Sequence, residues 1–272
     1  MSLSGEAEDM TRFDRVDHSK DPRALVRLLD SGSTLEGIRA CKQIMLNLLD
    51  VRIGHSVLDV GCGVGDDARD IARLVGQTGL VVGLDYSDAM IEVARERSLA
   101  SGLPIEFQLG DAQNLIFEDS SFDRYRTEKT LMHLADPKMA VSEAARVLRS
   151  GGKAVAFDFD HDGLFIDSPQ KETTRKMVRL FGDSLRNGLI GRQMPRLFQE
   201  AGLVDVSVVP HTVLMHYEFL HQLLDGFMAK ELDAGTLTGD EVATWWRGLD
   251  EASSKGRFFA GVTGFIVSGR RP

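Results

Sequence analysis

The stretch VLDVGCGVGDDA, residues 57–68, decides the fold. An apolar run closes on Asp59, and glycines follow at alternate positions 61, 63 and 65. Glycine adopts dihedrals closed to other residues and lets a ligand approach the backbone. A strand, a glycine turn and a helix in that order form a nucleotide-type site at the carboxyl edge of a parallel sheet. A dinucleotide fingerprint G-x-G-x-x-G would need a third glycine where Asp66 stands, and an acid there is a poor neighbour for a pyrophosphate. No G-x-x-x-x-G-K-[ST] phosphate loop occurs. The turn suits a ligand without phosphates, which weighs against a nicotinamide oxidoreductase.

Working outward, strands and helices alternate. Ser56–Val60 reads as a strand and Asp66–Val75 as a helix. Leu80–Asp85 is a second strand, and Ala89–Ser101 a helix introduced by Ser87 and Asp88. Ile105–Leu109, Phe122–Thr127 and Lys153–Phe159 read as further strands, with a helix over Pro137–Leu148 before Gly151-Gly152. This order predicts an α/β fold with a doubly wound parallel sheet. Before it, residues 1–12 read as a flexible leader and 13–50 as N-terminal helices broken near Ser31-Gly32-Ser33. After the core over 51–160, helical insertions over 161–200 and 212–256 flank a sixth strand at Leu203–His211. Arg257–Ser268 reads as a last strand, and the whole chain as a single domain.

Composition bounds the function. The 272 residues carry 32 Lys plus Arg against 41 Asp plus Glu, a formal net charge of -9. Such a chain repels nucleic acid in bulk, so a small-molecule substrate is expected and no nucleic-acid partner. Arg124, Arg126 and Lys129 cluster locally and read as a solvated mixed-charge edge. No apolar run reaches the roughly 20 residues of a membrane helix, and the N-terminus has no apolar signal region. Two cysteines, Cys41 and Cys62, one of them inside the glycine turn, fit reduced thiols and a cytoplasmic location.

Two acids mark the ends of later strands. Asp85, 22 residues after Gly63, is placed to accept from ribose hydroxyls or to cap the helix that follows. Asp111, in Gly110-Asp111-Ala112, is placed to accept from an exocyclic amine or to close its own turn.

Together these segments resemble the class I S-adenosylmethionine-dependent methyltransferases, in the ubiquinone/menaquinone-type and natural-product small-molecule branch. The matching pieces are VLDVGCGVG at 57–65, VVGLDYSDAMIEVAR at 81–95, LGDAQNL at 109–115, FEDSSFD at 117–123, LMHLADP at 131–137 and RVLRSGGKAVAFDF at 146–159. The resemblance covers about residues 50–160, and the tail GRFFAGVTGFIVSGRRP fits the family's last strand. It implies a Rossmann-like seven-stranded sheet whose last strand is antiparallel. It implies S-adenosylmethionine as cofactor, with S-adenosylhomocysteine as product, in a monomer or homodimer. By position, Asp59, Gly61, Cys62 and Gly63 would line the methionine part. Asp85 would hold the ribose, Tyr86 and Met90 would pack near the adenine, Asp111 and Ala112 would face its amine, and Thr127 would lie near the amino-acid end. The chain departs from the family at Leu115–Asp119, where L-P-F-P-D is common, and at Ser150, where proline is common. The N-P-P-Y/F motif of nucleic-acid amino-methyltransferases is absent; Thr127-Glu128-Lys129-Thr130 stands there instead.

Methyl transfer is an in-line displacement, so the protein mainly positions and desolvates the nucleophile. A hydroxyl acceptor gains from a base. His133 is the candidate base, with Asp158 as its partner or as a substrate anchor. Against these stand a structural histidine at a helix start and an aspartate that binds loop amides. In the run Asp158-Phe159-Asp160-His161-Asp162 a divalent ion is conceivable, but a solvated acidic loop explains it as well and no metal is expected. The helical stripe Met215, Phe219, Leu220, Leu223, Leu224, Phe227 and Met228 reads as core, or as one wall of an apolar acceptor pocket. The expectation is methyl transfer to a small hydrophobic metabolite, O-methyl before C-methyl. The alternative is a cofactor-binding relative acting as cyclase, decarboxylase or regulatory protein.

Overall fold

Seven strands form one sheet in the order β3-β2-β1-β4-β5-β7-β6. The computed structural model describes residues 13–19 and 21–272, so the leader read over 1–12 lies outside the described residues. The strands are β1 (Ser56–Val60), β2 (Leu80–Asp85), β3 (Ile105–Leu109), β4 (Phe122–Glu128), β5 (Leu148–Ile166), β6 (Val204–Met215) and β7 (Ala260–Arg270). β1 to β5 pair in parallel, and β7 runs antiparallel between β5 and β6. The sheet order reverses direction between β1 and β4, which is where ligands bind in such folds.

Strand alternation sorts the core onto two faces. Val57, Val81, Phe107, Val155 and Phe157 pack with α2 (Glu36–Leu49), α3 (Asp66–Val75) and α4 (Asp88–Ser98). Leu58, Val60, Leu84, Ala154 and Ala156 pack on the other face, with α5 (Pro137–Val147), α6 (Lys171–Ser184) and α7 (Ile190–Glu200). α8 (Tyr217–Asp233) and α9 (Gly239–Ser254) extend that second layer, and Trp245 of α9 donates its indole N–H to Thr174 of α6 at 2.8 Å. At the N-terminus, a 3-10 turn (Phe13–His18) and α1 (Pro22–Ser33) precede α2.

β1, α3, β2 and β3 have the bounds read from the sequence. β5 is longer than the expected 153–159 because Leu148 already pairs with Phe122 of β4 and because pairing with β7 runs on, past an irregularity after Phe159, from Lys153↔Arg270 to Ile166↔Ala260. The second insertion holds two helices where one was read. The signal for α9 was local: Thr238 and Glu241 form a capping box.

Two readings of charge need correction. Arg124 and Arg126 do not form a solvated edge; both are buried. The guanidinium of Arg124 donates to the Asp50 carbonyl, and that of Arg126 lies among carboxylates. Nor is the run from Asp158 a solvated loop. Asp158, Asp160 and His161 are all buried, and Asp160 is ion-paired with Arg192.

Asp158 is fully enclosed and accepts the Leu131 amide at 3.1 Å. Burial pushes its carboxyl from an ordinary 3.8 up to about 8. Between those values the folded chain keeps a proton that the unfolded chain releases, so stability falls as pH rises across the window. Asp59, raised by burial to about 6, adds to the same slope. Asp158→Asn stays neutral throughout, and urea titrations at pH 5 and pH 8 should show a smaller loss than in the parent; equal losses would contradict the account. Gly65 gives a second test. It opens α3 with φ +78°, and a Cβ there would meet the Phe107 ring at 2.6 Å. Gly65→Ala should cost about 2–4 kcal/mol in the same denaturation experiment.

Candidate active site

A cavity of about 520 Å³ opens over the carboxyl ends of β1, β2, β4 and β5. Its walls divide into three regions by chemistry.

The first is the glycine turn. Gly61 and Cys62 both donate their amides to the Leu84 carbonyl, at 2.7 and 3.1 Å, which folds the turn back onto β2. Gly61 has φ +70°, and a Cβ would lie 2.0 Å from the Thr130 hydroxyl, so the turn and the segment after β4 touch through a missing side chain. Gly61, Cys62, Gly63 and Val64 line the cavity. Asp59 does not: it is fully buried behind the turn and pairs with Arg126 at 2.9 Å. Arg126 also contacts Asp67 at 3.1 Å and Glu128. Burial would draw the guanidinium down, but Asp67, Asp59 and Glu128 outweigh it and hold the charge firmly. Lys42 joins from α2, 2.6 Å from Asp67. Lys42, Asp67, Arg126 and Glu128 form a polar end to the cavity. Thr127 is buried outside the wall, and Lys129 and Thr130 line the cavity instead.

The second region is the acidic rim. Asp85 accepts the Gly63 amide at 2.8 Å and the Ser87 amide at 3.0 Å, so it ties β2, the turn and the start of α4 together. Burial raises its pKa while these amides hold it down; the net direction is up. It anchors backbone and lines the cavity, while the cap of α4 is Ser87, whose hydroxyl accepts the Met90 amide. Asp111 likewise accepts the Gln113 amide at 2.8 Å and lines the cavity beside Ala112. Met90 is buried in the wall, and Tyr86 stands at the rim, 72% exposed. Asp17 was not foreseen. It accepts from Ser87 Oγ at 2.7 Å and from the Asp88 amide at 3.0 Å, which ties the 3-10 turn to the start of α4, and Phe13 and Val16 of that turn line the cavity.

The third region is apolar. Leu28, Leu29, Leu35 and Ile38 face Phe159, Leu164, Phe181, Leu185, Val213 and Val262. The stripe on α8 divides between its two readings. Met215, just before the helix, with Phe219 and Leu223, lines the cavity, while Leu220, Leu224, Phe227 and Met228 pack into the core. His216 caps α8, accepting the Phe219 amide at 3.2 Å. His133 lines the cavity from the 3-10 turn Leu131–His133, with its ring 5.8 Å from that of Phe13. Asp158 lies beneath that turn on the Leu131 amide and does not reach the cavity. Cys41 and Cys62 are free thiols. No group of three or more His, Cys, Asp or Glu among the described residues is arranged to hold a metal.

The walls fit an uncharged or cationic nucleoside ligand better than a phosphorylated one. Asp66 and Asp67 stand in the first turn of α3 facing the cavity, where a phosphate would meet like charge. Asp85 and Asp111 offer carboxylates that accept from hydroxyls and amines.

Comparison with known proteins agrees with this geometry. Residues 57–152 match the methyltransferase domain family. The chain is 41% identical over 271 residues to an uncharacterised 37.1 kDa protein in transposon TN4556 of Streptomyces fradiae, covering 97% of this chain and 76% of that protein. It is 33% identical over 182 residues to the demethylmenaquinone methyltransferase of Staphylococcus aureus, covering 61% of this chain and 75% of that enzyme. The crystal structure of YcgJ from Bacillus subtilis shares the fold with a TM-score of 0.61 at 22% identity, over 86% of this chain and 99% of that one. The chain therefore belongs to the class I small-molecule methyltransferases, enzymes that use S-adenosylmethionine as cofactor.

Proposed function

We propose that this methyltransferase acts on a small hydrophobic metabolite, with a hydroxyl oxygen as the preferred methyl acceptor and carbon as the second choice. One observation carries the reading: a single cavity joins the glycine turn and its acids to a wall of apolar side chains from the N-terminal helices and the insertions. Mostly apolar walls with a few placed polar groups are what such an acceptor needs. The net charge of -9 favours a small molecule over nucleic acid. No helix among the described residues is long and apolar enough to cross a membrane. We place the protein in the cytoplasm as a monomer or homodimer; its two free thiols accord with a reducing compartment.

S-adenosylmethionine supplies an electrophilic methyl group on a sulfonium. Gly61, Cys62 and Gly63 would pass beside its methionine part, with Lys42, Glu128 and Lys129 at the charged end. Asp85 would accept from the ribose hydroxyls, Asp111 and Ala112 would face the adenine amine, and Tyr86 and Met90 would flank the ring. Asp59 acts from behind the wall by holding Arg126, and Thr127 is set aside because it is buried outside the cavity.

His133 is assigned the base that takes the acceptor's proton. The backbone around it is held on several sides. Asp158 accepts the Leu131 amide, the Asn187 side chain donates to the Leu131 and Leu134 carbonyls at 3.1 and 2.7 Å, and the His133 amide donates to the Thr130 carbonyl at 3.0 Å. A fixed main chain presents the imidazole at one place on the cavity wall, as orientation of a reacting pair demands.

Asp85→Ala should weaken S-adenosylhomocysteine binding roughly 10- to 100-fold in titration calorimetry, the loss of two charge-assisted hydrogen bonds. If the native protein binds neither cofactor form, the cofactor assignments fail. His133→Phe should lower kcat about 10²–10⁴-fold in a labelled-methyl assay while S-adenosylhomocysteine affinity stays within about threefold. A variant with native turnover would remove His133 from the chemistry.

A further inference from the structure

The apolar half of the cavity also holds an imidazole that none of these roles uses, that of His161. It sits in an irregularity of β5, where four residues, Asp160–Gly163, stand opposite the single Thr263 of β7. Bulges of this kind re-aim a side chain beside a site. Here the ring lies between Phe159 and Phe181, with centroids 6.0 and 5.7 Å away, only 6% exposed and on the cavity wall. Its neighbour Asp160 is committed to Arg192.

One carbonyl fixes the ring. Gly188 accepts the His161 backbone amide at 2.9 Å and lies 3.2 Å from Nδ1. A carbonyl oxygen only accepts, so Nδ1 carries the proton and Nε2 carries a lone pair in the neutral ring. Burial holds the imidazole down at about 4, so the ring is neutral at pH 7. Gly188 itself is pinned, since a Cβ there would lie 2.3 Å from the Gly182 carbonyl. Among the described residues Nε2 has no hydrogen-bond partner. A fixed acceptor in an apolar wall favours a ligand that brings a donor, and a site built to hydrogen-bond a hydroxyl rejects the analogue without one.

We propose that His161 Nε2 accepts a hydrogen bond from a hydroxyl of the methyl acceptor, so that the pocket selects hydroxylated hydrophobic molecules over the corresponding ethers and hydrocarbons. This deepens the acceptor-pocket assignment and rests on it. His161 binds and orients; His133 keeps the role of base.

The test uses the full chain saturated with S-adenosylhomocysteine and two probes, 1-naphthol and 1-methoxynaphthalene, titrated by calorimetry. The native protein should prefer 1-naphthol roughly 5- to 10-fold. Because His133, the assigned base, also favours a hydroxyl, both variants are made in the His133→Phe background: there His161→Phe, which fills the space between the flanking phenyl rings, should abolish the remaining preference, and His161→Gln, which keeps an acceptor, should retain part of it. S-adenosylhomocysteine affinity should be unchanged in both variants, which shows that they fold. A preference that survives His161→Phe in that background, or none in the native protein, overturns the proposal. Nitrogen-15 NMR of the His161 ring gives an independent reading: the proton belongs on Nδ1 at pH 7, and a ring protonated on Nε2 overturns the proposal by itself. Failure of the native protein to hold S-adenosylhomocysteine counts instead against the cofactor pocket, and leaves the tautomer measurement standing.

Discussion

A guanidinium buried at the centre of the sheet organises the polar half of the cavity. Arg126 on β4 reaches Asp59 on β1, Asp67 on α3 and Glu128 further along its own strand, and Asp67 in turn holds Lys42 of α2. Four elements thus meet through one charge. Removing one partner of such a buried group typically costs about 3–5 kcal/mol, because the rest are left charged without water. Arg126 and Asp59 are nearly solvent-free, so the network is screened little by salt and keeps a fixed geometry. The glycine turn rests against this frame on one side and against Asp85 on the other. A backbone with three glycines is soft by itself; between these two anchors it is held for a ligand.

The glycine turn and its acids were legible in the sequence because their signals are local. Alternating glycines, an acid ending β2 and an acid after β3 each depend on a few adjacent residues, and the strand periods between them are short. What escaped is non-local. Arg124 and Arg126 looked like surface residues because charge normally means solvent, yet strands inside a parallel sheet read as near-continuous apolar runs. Charges at 124, 126 and 128 on such a strand were themselves the sign that partners are buried with them. Asp158 carried the same ambiguity. Only the placement of the Leu131 amide shows that it supports a turn and does not face the ligand. Asp17 could not be found from sequence at all, since its partners Ser87 and Asp88 lie some seventy residues away.

The apolar half of the cavity follows a different logic. Its walls come from α1, α2, the bulge of β5, α6 and the region around α8, elements that do not share a sequence motif. The helical stripe at Met215–Met228 illustrates why period alone was not enough. The same spacing serves two surfaces at once, because a helix with a wide apolar face can pack on the core and line a cavity on adjacent flanks. His161 was equally ambiguous within an acidic run until the register shift against β7 turned its ring inward.

The pairing of β6 with β7 has a consequence for how such a pocket changes. The last register pair, Met215↔Ala260, stands where the chain leaves for α8 and where it returns from α9. In chain terms the whole excursion is a loop whose two ends are clamped together by the sheet. Loop closure grows only with the logarithm of length, at about 0.6 kcal/mol per doubling. A change in the length of this loop therefore costs little in closure entropy, whereas Leu220, Leu224, Phe227 and Trp245 tie its helices into the core. The part of the apolar wall that α8 supplies, Phe219 and Leu223, thus hangs on the β6–β7 edge of the sheet, apart from the glycine turn between β1 and α3.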